Sequence, residues 1–130
     1  MRTSLCVGVL ASLVTLAGAL PVRAGSWQFL GERLANFGLD HDVIVVTAAE
    51  GTFTQMQLRV RQARIEILDL KVHFGDGSTF DVSVRAFVEA GGETRVIDLP
   101  GGARVIRNVE FTYRTPTVRG KRALVRLFGR

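Results

Sequence analysis

The stretch LDHDV sets two carboxylates and an imidazole side by side, at Asp40, His41 and Asp42. Carboxylate oxygen and imidazole nitrogen together suit a divalent metal ion, and His73 or Asp76 are further donors that could join them. The spacing limits this set. Consecutive side chains on an extended strand point to opposite faces, so at most Asp40 and Asp42 converge there and His41 is opposed. In a loop that restriction lifts. The competing reading is a polar turn, with Asp42 as turn-former, leading into the apolar run VIVV. A metal-dependent or carbohydrate-active site on the loop around Asp40–Asp42 is therefore the alternative function, and the main expectation includes no cofactor.

Other catalytic patterns are thin. Cys6 lies in the N-terminal apolar run, and no G-x-S-x-G elbow occurs. Ser78 and Ser83 stand near His73 in sequence, but Ser and His are too common for that to identify a triad. Glu66, Asp69, Asp81 and Glu110 read as solvated strand positions rather than as a glycosidase pair. The tetrad GDGS, Gly75–Ser78, has one Asp where a calcium loop needs several oxygen ligands, and it lacks the long Gly-rich run with Lys of a phosphate loop. It reads as a hairpin turn, with Gly77 taking positive φ. Catalysis is not expected; the main reading is an exported, non-catalytic binding or envelope-associated structural module.

The arginines carry the remaining chemistry. Arg59 and Arg61 share the outward phase of one strand, and Arg119, Lys121, Arg122 and Arg126 crowd the C-terminus. If they align, their forked donors suit anions, with acidic envelope polymers or anionic lipid head groups as partners. The competing reading is a solvated outer face whose charges blunt edge strands. Aromatic residues do not interleave with these arginines as a nucleic-acid platform would require, so none is expected.

Several features bear on where such a surface would work. Residues 1–24, MRTSLCVGVLASLVTLAGALPVRA, have a basic start, an apolar middle and a V-x-A ending. That is the pattern of a secretory signal peptide cut after Ala24. An uncleaved anchor is the alternative, since about 20 uncharged residues suffice to span a bilayer. Cleavage would leave 106 residues, 25–130, as a single domain, exported to the periplasm or beyond and without a transmembrane segment. Loss of Arg2 and Arg23 would lower the net charge from +5 to +3. Cys6 would also leave, so no disulfide is available and stability must come from the apolar core.

The elements that must position these residues are strands. In QMQLRVR, Met56, Leu58 and Val60 alternate with Gln55, Gln57, Arg59 and Arg61, as in a half-buried antiparallel strand. In ARIEILDLKVHF the apolar phase slips at Ile67-Leu68, which predicts a β-bulge. DVIVV, Asp42–Val46, reads as a strand buried on both faces. The segment Trp27–Arg33 is read as a strand, although Trp27, Leu30, Leu34 and Phe37 also fit helical spacing; Gly31 would cost that helix about 1 kcal/mol. Pro100-Gly101-Gly102 joins what read as two neighbouring strands, the second with Val105, Val109, Phe111 and Tyr113 inward and a phase slip near Ile106. About eight short strands define an all-β fold, an antiparallel β-sandwich with a jelly roll as one form of it.

The series LGER, DHDVIVV, LRVR, ILDLKVHFGDG, GGETRVIDLPGGARVIRNVEFTYRT and RALVRLFGR resembles a family of small exported bacterial proteins that carry domain of unknown function 2541. The resemblance spans nearly all of residues 25–130 and is most distinctive over Gly91–Arg114. It implies a secreted β-rich domain and carries over no activity and no functional residues.

Overall fold

The computed structural model describes residues 26–116 and 119–130, and the predicted leader lies outside them. Nine strands are formed among the described residues: β1 Gln28–Leu34, β2 Gly38–Val45, β3 Gln55–Arg61, β4 Ile65–Phe74, β5 Thr79–Val82, β6 Ala86–Val88, β7 Ile97–Asp98, β8 Ile106–Thr115 and β9 Leu124–Gly129. A single 3-10 turn, Ala48–Glu50, follows β2. The strands pair antiparallel in two sheets, β1-β9-β3-β7 and β2-β8-β4-β5, with β6 also on β4.

β5 and β6 lie in succession along one edge of β4. The first faces Leu70–His73 and the second Ile65–Ile67. The break between them falls beside the irregularity that β4 itself carries, where Leu68 is the extra residue between Ile67 and Asp69. The bulge legible in the apolar phase thus interrupts the pairing on both sides of β4. With β5 and β6 taken as one interrupted edge strand, the orders become 1-8-3-6 and 2-7-4-5. That is the connectivity of a jelly roll.

The core is built from the inward phase of each strand. Met56, Leu58 and Val60 of β3 and Val125 and Leu127 of β9 meet Ile65, Ile67, Leu70, Val72 and Phe74 of β4 and Ile106, Val109, Phe111 and Tyr113 of β8, all buried. Val105 is half-buried, and the predicted slip near Ile106 is a register shift against Phe74. The Asp76-Gly77 hairpin is present. The Gly77 amide donates to the Phe74 carbonyl at 3.0 Å, Gly77 has φ +91°, and the Asp76 carboxylate accepts from the Ser78 amide at 2.9 Å. Arg104 closes over this turn, stacked 3.9 Å from the Phe74 ring centroid and bonded to Asp76, Ser78 and the Pro100 carbonyl.

Three expectations are corrected. Asp42–Val46 is not buried on both faces: β2 is a sheet edge, and Val45 is 69% exposed. Gln57, read as solvated, is buried. Its amide donates to the Thr94 carbonyl at 3.1 Å because Gly91–Thr94 runs alongside β3. The break at Pro100–Gly102 does not join neighbours. It carries the chain from β7 in the four-stranded sheet to β8 in the five-stranded one.

Candidate functional site

β3 and β9 are adjacent and antiparallel, and their register sets Arg59 directly opposite Arg126. Both residues have the outward phase, since Val60 and Val125 on either side are buried. Like charges facing each other across a ladder are destabilising unless something compensates. Here three neighbours do so. Arg126 donates from Nε to Glu32 of β1 at 3.1 Å, and Arg59 donates from Nε to Gln57 at 3.1 Å. Phe128 supplies the third contact: the Arg59 guanidinium lies 4.0 Å from its ring centroid and that of Arg126 5.3 Å.

The stack extends to both sides. Arg126 lies 4.7 Å from the Phe29 centroid, and Phe29 meets Phe128 edge to face at 5.6 Å. Arg59 lies 5.6 Å and Arg130 4.3 Å from the Trp27 centroid, and Arg130 donates from Nε to Gln55 at 2.7 Å. Each such contact contributes about 0.5–1 kcal/mol at an exposed site. They hold the guanidinium planes while leaving donors over: no described residue accepts a hydrogen bond from an Nη group of Arg59 or Arg126. Aromatic residues therefore do interleave with the arginines, against the expectation from the sequence. The interleaving runs along β9, from Arg126 to Phe128, and across to Arg59 on β3 and Phe29 on β1.

Of the other predicted anion ligands, Arg61 stays on this face, while Arg119, Lys121 and Arg122 lie off it. Arg61 lies two residues beyond Arg59 on the same face. With it, Gly91, Gly92 and the carboxylate-bearing Glu93 it lines a shallow cavity of about 320 Å³. Arg119 and Lys121 are exposed in the connection before β9. Arg122 is tied to the backbone, donating to the Ala35 carbonyl at 2.8 Å and the Leu34 carbonyl at 3.2 Å, and also to Asn36 Oδ1. Trp27, Phe29, Phe128 and Arg130 were missed in the sequence. The signal that could have found them is their shared period-two phase in WQF and RLFGR.

Asp40, His41 and Asp42 divide as strand geometry requires. Asp42 points inward, accepting from the Tyr113 hydroxyl at 2.7 Å and meeting Arg33 at 3.4 Å. Burial first, and then the bond to Asp42, push the Tyr113 phenol far above its ordinary value. Asp40 accepts from Asn36 and from the His41 amide, which lower its pKa in that order. His41 points the other way. Its Nε2 lies 2.7 Å from Glu110 Oε2 on β8, while His73 of β4 bonds the other oxygen, Oε1. Glu110 is thereby singled out from the solvated strand carboxylates, and its pKa is lowered first by the His73 bond and then by that of His41. Glu66 pairs instead with Arg114 at 3.4 Å and Asp81 with Lys71 at 3.8 Å. Among the described residues no three His, Cys, Asp or Glu side chains are grouped to hold a metal ion, and no helix is long and apolar enough to cross a membrane.

Fold and surface together define a jelly-roll β-sandwich with an arginine–aromatic face on its four-stranded sheet. The chain belongs to the family described as Domain of unknown function (DUF2541), whose model matches residues 5–129. No curated protein and no solved structure matches it.

Proposed function

We propose that this is an exported binding module that holds an anionic envelope polymer on the outer face of its four-stranded sheet and acts by binding rather than by catalysis. The observation that carries this reading is the cross-strand pair Arg59–Arg126, two like charges held on one phenyl ring with their Nη donors unmatched by any described acceptor. A guanidinium held by stacking and by Nε keeps an edge whose two parallel N–H bonds fit a carboxylate or phosphate. Lipid head groups offer the same anion and are the competing partner. The carboxylates around Asp40–Asp42 favour the binding reading over a catalytic one, since they are taken up by Tyr113, Arg33 and Asn36.

Export supplies the setting. Cleavage after Ala24 should leave Gly25 as the N-terminus, which mass spectrometry of the exported protein reads directly; a full-length chain in the membrane fraction would favour an anchor. Binding is tested on an anionic matrix loaded at low ionic strength and eluted with salt. Electrostatic retention weakens steeply with salt, so wild type should elute later than Arg59→Gln with Arg126→Gln. Co-elution of the two would reduce the face to a solvated surface.

A further inference from the structure

We infer that the polymer held on this face is an acidic polysaccharide, a chain of sugars bearing carboxylates, rather than a polyphosphate. This rests on the polyanion reading above and goes beyond it in ligand class. The arginines are not a bare basic patch. Arg126 lies against Phe29, which remains 43% exposed, and the Phe29 ring leans edge-on against Phe128. An acidic sugar combines an apolar C–H face with a carboxylate on its rim. Phe29 offers the complementary apolar surface, and Arg126 and Arg59 offer donors next to it. A polyphosphate has no apolar face to place on Phe29 and would leave that ring in water.

Charge density points the same way. Glu32 lies within the face, opposite Arg126 in the β1–β9 ladder and bonded to it. A polymer with a charge on every unit and no apolar surface between would run its anions past this carboxylate. A sugar acid separates its charges with uncharged ring. Arg61 continues the donors along β3, two residues on and so roughly 6.5–7 Å away, which suits successive charged units of an extended chain better than one compact anion.

The test measures binding of the purified domain, residues 25–130, to four probes: polygalacturonate, polyphosphate, vesicles containing phosphatidylglycerol, and dextran. Its variants are Phe29→Ala, Phe29→Tyr, and Arg59→Gln with Arg126→Gln, each checked for an unchanged melting transition. Polygalacturonate should bind more tightly than the other three probes. Phe29→Ala should weaken it by roughly five- to tenfold, the low end of the range for one aromatic stacking contact with a nucleobase, Phe29→Tyr should retain it, and the double arginine variant should abolish it. Polyphosphate or vesicles bound as tightly as polygalacturonate would overturn the sugar assignment and leave the polyanion reading standing. So would an equal loss for all anionic probes in Phe29→Ala, since the ring would then act only by positioning Arg126. Failure of wild type to bind any anionic probe would remove the polyanion reading itself.

Discussion

Gly31 of β1 passes so close to Ile44 of β2 that a β-carbon there would lie 2.8 Å from Ile44 Cγ2. The two strands belong to opposite sheets, and Leu30 is the extra residue that bulges β1 between Phe29 and Gly31. The close approach brings the two sheets together at this point. Gly31→Ala should therefore destabilise the domain by about 1–3 kcal/mol, the range for forcing an extra carbon into a packed core. Chemical denaturation reads this directly; an unchanged midpoint would mean the sheets separate there without cost.

Gly77 offers a contrast, because nothing lies within 4 Å of a β-carbon built on it and only its φ of +91° resists a side chain. Gly77→Val should lower stability by about 1–2 kcal/mol through backbone strain alone. Gly77→Asn should lower it less, since Asn tolerates left-handed backbone better than a β-branched residue does. Equal melting temperatures for the Val and Asn variants would contradict a turn held by backbone conformation.

The Tyr113 hydroxyl joins three elements: it donates to Asp42 and accepts from the Asn36 amide at 2.8 Å. Tyr113→Phe keeps the ring packed on Phe111, whose centroid lies 5.4 Å away, and removes both bonds. Leaving those partners unsatisfied should cost about 1–3 kcal/mol. Equilibrium unfolding in urea would show it, and a change well under 1 kcal/mol would mean that water replaces the hydroxyl.

These relationships differ in how far the sequence discloses them. Alternation in QMQLRVR gives the inward set of β3, and the phase slip at Ile67-Leu68 marks a bulge, because both are properties of one strand. Trp27–Arg33 reads as a strand largely through Gly31, and the structure adds the reason, the approach to Ile44. Properties of neighbours are not legible in this way. Val45 is exposed because β2 ends a sheet, which depends on strand order. The Arg59–Arg126 pair depends on register between strands far apart in the chain, and shifting it by one residue would set Arg59 opposite Val125 or Leu127. The two histidines meet at Glu110 for the same reason, with β8 lying between β2 and β4.

That last cluster makes an acid-limb prediction. Glu110 bonds His73 and His41 on the outer face of the five-stranded sheet, with Lys71 opposite it in the ladder. Its pKa is lowered in the folded protein from an ordinary value of 4.5, so the ionised carboxylate is favoured more in the folded than in the unfolded chain. A depressed folded pKa contributes stability that is fully present above the unfolded value and is lost as pH falls through the folded one. Glu110→Gln removes the titrating group. Wild type should therefore exceed the variant in melting temperature near pH 6, and the gap should close as pH drops from about 4.5 towards 3, because the protonated acid then resembles the amide. His73→Ala with His41→Ala should shrink the same gap by removing the donors that lower the pKa. A gap that stayed constant across this range would show that Glu110 contributes by packing, and one that widened on acidification would reverse the assigned direction of its shift.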